Sequence, residues 1–185
     1  MNKWKELQAA WVSKYKEAGT LKGYFSIDGL MGARMVGQLI NSNIAGGSCL
    51  DVGCGILAKP FYMKIATDVK FAGIDPIAGE KREFEFIKGC AESLPFADKE
   101  FDGVLFATSL NHCEDPAKAI NEAYRVLVGK GYLFIWNGLN EKDESHLWAF
   151  SKESLMNLLG DFELIHYIKV HPNKNDETIL VLRKE

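Results

Sequence analysis

The sequence predicts an α/β fold with a mainly parallel sheet. Three observations carry that expectation. Strand-like and helix-like segments alternate along the chain. FDGVLFAT (residues 101–108) is almost continuously apolar, as in a parallel strand covered on both faces. The short apolar run CLDV (49–52) leads straight into Gly-Cys-Gly, the form of a strand that ends in a ligand-binding turn.

The elements follow in order. Trp4, Leu7, Trp11, Val12 and Tyr15 recur at helical spacing, and Gly19 suits the end of that helix. A second helix is expected over Leu30 to Ile40, then a loop NSNIAGGS and the strand CLDV. Pro60 opens PFYMKIA at a first helical position, where a missing N–H costs nothing. VKFAGID (69–75) and REFEFIKG (82–89) read as the second and third strands. Only PIAGEKRE separates them, too little for a helical crossover, so a turn is expected there.

FDGVLFAT is the fourth strand. EDPAKAINEAYRVLVGKG (114–131) is the clearest helix. Asp115 suits its N-cap, Pro116 its first turn, and Ala117, Ile120, Tyr124 and Leu127 form its apolar stripe, with Gly129 as the stop. YLFIW (132–136) is the fifth strand. In SKESLMNLLGDF (151–162), Ser151 suits an N-cap, Glu153 favours the positive helix end, and Gly160 suits the stop. ELIHYIKV and ETILVLR complete the chain as a hairpin pair.

With 185 residues and neither repeat, low-complexity tract nor linker, residues 1–185 read as a single domain. It divides into an N-terminal helical segment (1–47), a core (48–137) and a C-terminal loop, helix and hairpin (138–185). Net charge is −3, so bulk charge gives no footprint for nucleic acid. No apolar run reaches the roughly 18 residues of a membrane span. The first segment carries charges throughout and lacks the apolar centre of a signal peptide, so a cytoplasmic location is expected. Cys49, Cys54, Cys90 and Cys113 show no paired metal-ligand spacing and no accompanying histidine cluster. No metal site is expected, and the cysteines read as buried or site-lining thiols.

Asp51-Val52-Gly53-Cys54-Gly55 brings the backbone close to a ligand, and Asp75, at the end of the second strand, suits the two hydroxyls of a ribose. Together they suggest an adenosine-type cofactor. A dinucleotide pyrophosphate disfavours a nearby carboxylate, and the third glycine of its loop is absent, so a nicotinamide enzyme is the weaker reading. A cofactor carrying an ammonium and a sulfonium suits Asp51.

A larger motif set narrows this. Gly89-Cys90-Ala91-Glu92, Leu94-Pro95-Phe96, Phe101-Asp102, Leu110-Asn111-His112 and Arg125-Val126-Leu127 occur in that order. This set closely resembles the class I S-adenosylmethionine-dependent methyltransferases, over roughly residues 48 to 137. The resemblance implies a Rossmann-like fold: a three-layer α/β/α sandwich on a mainly parallel seven-stranded sheet with a terminal antiparallel hairpin. Gly73-Ile74-Asp75-Pro76, Thr108-Ser109-Leu110 and the first loop are most similar to small methyltransferases of sugar, lipopolysaccharide and other glycan biosynthesis. Asn111-His112 departs from the acid-histidine pair of that group.

The resemblance implies S-adenosylmethionine as cofactor. Gly53, Cys54 and Gly55 lie against its methionine and ribose, and Asp51 helps hold its ammonium. Asp75 binds the ribose hydroxyls, Ile74 or Pro76 flanks the adenine, and Ala91 offers its N–H to the ring. Thr108 completes the cofactor wall. Cys90 replaces the family's aspartate, which accepts from the adenine amino group, and a thiol is a weak acceptor. Glu92 is a candidate substitute, or faces solvent.

Each residue also has a plainer reading. Asp75 before Pro76 suits a turn, Cys54 and Cys90 suit small fillers, and the Trp4 stripe suits helix packing. The expected reaction is methyl transfer to a small molecule or glycan precursor, at oxygen, with His112 as candidate base or in an orienting, structural role. The alternative is a cofactor-binding or regulatory module of the same fold without transferase activity. In the polar loop NGLNEKDESHLWAF, His146 and Trp148 are candidate substrate contacts or simply loop surface. The acceptor pocket is expected to be shallow and open, or completed by the N-terminal helix or by a second chain of an oligomer.

Overall fold

The apolar runs become strands in the computed structural model, which describes residues 3–17, 27–77, 81–140, 144, 146–171 and 177–185. They are β1 (Ser48–Val52), β2 (Lys70–Asp75), β3 (Glu85–Lys88), β4 (Phe101–Ala107), β5 (Leu127–Gly138), β6 (Phe162–Lys169) and β7 (Glu177–Lys184). One seven-stranded sheet holds them in the order β3-β2-β1-β4-β5-β7-β6. The first five are parallel, and β7 runs antiparallel to both β5 and β6. The expected sheet and its antiparallel end are therefore present, with β7 inserted between β5 and β6.

The helices are α1 (Lys3–Glu17), α2 (Ile27–Ile44), α3 (Phe61–Ile65), α4 (Pro116–Val126) and α5 (Lys152–Leu158). Strand residues alternate between two cores. Leu50, Val52, Val104, Phe106, Leu133 and Ile135 face one core, with Ile120 of α4 and Leu155 of α5. Cys49, Leu105, Phe134 and Trp136 face the other, with Val36, Ile40 and Ile44 of α2 and Met63 of α3. This makes three layers, α/β/α. Full burial of each large side chain contributes roughly 1.5–3 kcal/mol.

Three elements differ locally from expectation. α2 runs on to Ile44 because Ile40 and Ile44 both enter the core, while Ser42 and Asn43 donate back to the Leu39 carbonyl. α4 stops at Val126 rather than at Gly129, since Leu127 already pairs with Phe101 in the sheet. The Lys184 ammonium donates to the Tyr124 and Leu127 carbonyls at that helix end, at 2.6 and 2.8 Å, where a cation is favoured. Pro60 caps α3 from outside instead of opening it. The Trp11, Val12 and Tyr15 side chains and Gly19 lie outside the described residues.

Among the described residues between β2 and β3 there is no helix, as the short spacing predicts. That connection takes up another task. The Glu83 N–H donates to the Ala58 carbonyl (2.9 Å), tying it to the loop after β1. The chain leaves β1 toward β2 on one side and returns as β4 on the other. The carboxyl ends of β1 and β4 therefore flank the point where such sheets open a crevice.

Candidate active site

The turn after β1 is built by two glycines in the left-handed region, Gly53 at φ +77° and Gly55 at φ +69°. The Gly53 N–H donates to the Ile74 carbonyl (2.8 Å), so the turn folds over the end of β2. Gly53 also needs its missing side chain: a Cβ there would lie 2.4 Å from the Ser109 Cβ. Ser109 in turn donates to the Val52 carbonyl (2.5 Å), locking the end of β4 to the end of β1. Thr108, just before it, is held at φ +55° with its N–H on the Trp136 carbonyl (2.7 Å). A β-branched residue in that conformation is strained, and such strain collects at functional sites.

Asp75 organises the turn from the neighbouring strand. Its Oδ2 accepts from the Gly55 N–H (2.9 Å) and its Oδ1 from the Ile77 N–H (2.8 Å). Burial raises its pKa, while those two N–H groups and the Arg82 guanidinium pull it back down. Arg82 itself donates to the Gly55 carbonyl and covers the Phe86 ring at 4.5 Å. Each Asp75 oxygen keeps a further lone pair for a ligand.

Beneath the turn, Asp51 is fully buried. The Tyr62 hydroxyl donates to its Oδ2 (2.6 Å), and its Oδ1 has no hydrogen-bond partner. Burial pushes its carboxyl up to about 7, Tyr62 opposes that, and Asp75 adds to it. Cys54 is buried as well, and burial raises its thiol.

One cleft collects most of the expected residues. Gly53, Cys54 and Gly55 line it, as do Asp75 and Pro76. Cys90, Ala91 and Glu92 form its far end, and Thr108 and His112 its β4 side. Three expected residues lie elsewhere. Asp51 sits behind the wall, and Tyr62 stands at the cleft in its place. His146 and Trp148 also miss the lining, because the Leu147 and Trp148 N–H groups donate to the Asn111 carbonyl (3.0 and 3.2 Å). That pairing turns the loop behind the 3-10 turn Leu110–His112. The His146 ring packs edge-on to His112 at 4.9 Å, and the Trp148 indole donates to the Cys113 carbonyl (2.9 Å). They support the turn that carries His112 rather than forming the substrate wall.

Glu92 is only partly spared for a ligand: its Oε1 accepts from the Glu114 and Asp115 N–H groups (2.7 and 3.2 Å) ahead of α4. Sequence reasoning missed Tyr62 and Arg82, which carry no motif of their own, and quoted Ser109 within a motif without giving it a role. It also gave Trp136 no role beyond its strand. Trp4 and Gln8 of α1 line the cleft too, so the N-terminal helix completes it.

The residues fit an adenosine cofactor. The Asp75 carboxylate suits a ribose diol, Ile74, Pro76 and Ile77 give an apolar slot for a base, and a Cβ at Gly55 would meet nothing within 4 Å, leaving open space beside the turn. Among the described residues no cluster of ligating side chains could hold a metal ion. No described helix is long and apolar enough to cross a membrane.

Comparison with known proteins agrees. Residues 50–135 match the methyltransferase domain family model. An uncharacterised protein of Methanocaldococcus jannaschii, MJ1123, is 35% identical over 143 residues, covering 74% of this chain and 68% of that one. The ubiquinone biosynthesis O-methyltransferase of Pseudomonas syringae is 31% identical, covering 64% of this chain and 56% of that one. The chain thus spans between about half and two thirds of the length of such relatives. In fold it is similar to the Burkholderia thailandensis 1,6-didemethyltoxoflavin-N1-methyltransferase solved with S-adenosylhomocysteine, at a TM-score of 0.73 and 16% identity, over 96% of this chain and 88% of that one. Motifs, sheet order, cleft and relatives converge: the chain belongs to the class I S-adenosylmethionine-dependent methyltransferases, with S-adenosylmethionine as cofactor.

Proposed function

We propose that this chain methylates a hydroxyl group of a small molecule and that His112 takes the hydroxyl proton. The observation that carries this reading is that His112 and the Gly53–Gly55 turn line one cleft. An imidazole's ordinary pKa suits a proton acceptor near neutral pH. An O-methyltransferase among the relatives supports oxygen as the acceptor atom. It also favours activity over a cofactor-binding module that does not turn over.

When bound, the cofactor supplies a methyl group already activated by its sulfonium. The protein then has mainly to align and to manage a proton. Asp75 would hold the ribose hydroxyls, Ile74 and Pro76 would flank the adenine, and the Ala91 N–H would meet the ring edge. Gly53, Cys54 and Gly55 would let the backbone approach the methionine part, beside Thr108. Asp51 would favour the ammonium from behind the turn, its charge shared with Tyr62. His112 would take the acceptor's hydroxyl proton.

Calorimetry with S-adenosylhomocysteine, followed by transfer of a labelled methyl to a panel of hydroxyl compounds, tests this. His112→Gln is expected to keep cofactor affinity and to lose a factor of about 10² to 10⁴ in turnover. Folded protein that binds neither S-adenosylmethionine nor S-adenosylhomocysteine overturns the reading. Undiminished turnover in His112→Gln removes His112 as base.

A further inference from the structure

The acceptor's chemistry is written on the part of the cleft that the cofactor contacts leave over. Trp4 and Gln8 come to it from α1, Leu30 and Ala33 from α2, Phe61 from α3 and Trp136 from β5. Five of these six are apolar or aromatic, and the sixth carries a neutral amide. The Trp136 indole is fixed in place. Its N–H donates to the Glu177 carboxylate, and its ring lies against Gly32, where a Cβ would come within 2.5 Å of it. Gly32 thereby lets α2 settle onto the ring face and keeps that wall flat.

No lysine or arginine is among the described residues that line the cleft. Arg82 reaches the turn from behind through the Gly55 carbonyl, and Lys59 lines a separate depression with Lys64 and Lys70. A phosphate or carboxylate on the acceptor would therefore lose its water and meet no lysine or arginine among the described lining residues. An anion that leaves water without gaining a partner is disfavoured in such a place. Aromatic walls favour a flat ring instead, through offset or edge contacts.

We propose that the acceptor is a flat, apolar-ringed hydroxy compound without phosphate or carboxylate, held between Trp4 and Trp136 with its hydroxyl toward His112. This rests on the cleft being the methyl-acceptor site. It replaces the expectation of a glycan precursor, whose sugar hydroxyls would meet few polar partners on these walls and whose phosphates would meet no lysine or arginine among the described lining residues.

The test uses the protein saturated with S-adenosylhomocysteine, titrated calorimetrically with 2-naphthol, 1-hydroxy-2-naphthoate and glucose 6-phosphate. Saturation is verified first, so failure of the cofactor reading appears before any probe is added. 2-Naphthol is expected to bind with a Kd below about 1 mM. Adding the carboxylate should weaken binding by about tenfold or more, and glucose 6-phosphate should not bind. Trp4→Ala should weaken 2-naphthol by about fivefold and leave S-adenosylhomocysteine within about twofold. The proposal is overturned if 2-naphthol does not bind, if either anion binds more tightly than it, or if Trp4→Ala leaves its affinity unchanged.

Discussion

The Tyr62 hydroxyl donates to Asp51 Oδ2 across 2.6 Å, within a pocket closed to solvent under the cofactor turn. The carboxyl's other oxygen has no partner there. Such an arrangement makes the Asp51 charge costly, which is why its pKa rises from 3.8 to about 7. The sign for stability follows. Between about pH 4 and pH 7 the folded chain binds the Asp51 proton more tightly than the unfolded chain. Stability contributed by the neutral carboxyl is full below about pH 4 and is lost as pH rises through 7, by on the order of 4 kcal/mol. Denaturant unfolding at pH 5 and pH 8 should show that fall, and Asp51→Asn should flatten it.

Cofactor binding should run the other way. An ammonium beside the turn favours ionised Asp51, so affinity for S-adenosylhomocysteine should rise by about tenfold from pH 5.5 to 7. Asp51→Asn should remove this slope. Tyr62→Phe deprives the carboxylate of its one donor and should weaken binding at pH 7.5 by about tenfold. Calorimetry across pH reads both, and an unchanged slope in Asp51→Asn would remove Asp51 from cofactor recognition.

Gly53 and Gly55 share a left-handed backbone but not their surroundings. Gly55→Ala adds a methyl in open space and should cost only about 1–2 kcal/mol of strain. Gly53→Ala drives a methyl into Ser109 and should cost about 3 kcal/mol or more while abolishing cofactor binding. Gly53→Ala with Ser109→Gly should recover part of the loss, measurable by thermal shift with and without S-adenosylhomocysteine.

Arg125 binds the Leu94-Pro95-Phe96 segment to α4. Its guanidinium donates to the Leu94 and Phe96 carbonyls (2.9 and 2.8 Å), to Glu122 and to Asp98. Arg125→Ala should destabilise by about 2–3 kcal/mol and lower Tm by about 8 °C. Arg125→Lys should rescue little of it, since an ammonium cannot span those acceptors as a fork does.

His146 packs against His112 without reaching the cleft. His146→Ala should lower kcat by about tenfold and leave cofactor affinity unchanged, whereas His146→Phe keeps a ring at that position and should restore most of the rate. Equal kcat in wild type and His146→Ala would show that the packing does not position His112.

Cys90→Asp tests the adenine end. It supplies an ionised acceptor where the thiol is a poor one, and should tighten S-adenosylhomocysteine by about fivefold. Glu92, half occupied with the N–H groups ahead of α4, would then carry less of the recognition.

The strands and the glycine turn were legible in the sequence because period, turn chemistry and motif all point the same way there, whereas the place of β7 between β5 and β6 was not. The missing crossover helix was legible by simple length. Asp51 was placed correctly in the chain but not in depth: the sequence shows an acid beside the glycines, and only packing reveals Tyr62 sealing it off. The placement of His146 and Trp148 was not legible for a related reason. Their loop is polar, yet two N–H groups on the Asn111 carbonyl decide its path, and no side-chain pattern records a backbone bond. The cleft wall was half legible. Trp4 stood out at helical spacing, but its cleft partner Trp136 and the glycine that lies against that ring, Gly32, are far apart in sequence.

The insertion of β7 between β5 and β6 has a consequence for how the chain is made. On the ribosome β6 emerges before the strand that separates it from β5, so the growing polypeptide must hold that place open. Until β7 arrives, β5 presents an unpaired ladder edge from Tyr132 to Gly138, the segment that carries Trp136. A stalled or clipped nascent chain would offer that edge to its neighbours. Assembly of the last strand thus closes a hazard of biogenesis and fixes the Trp136 indole through Glu177 in a single event.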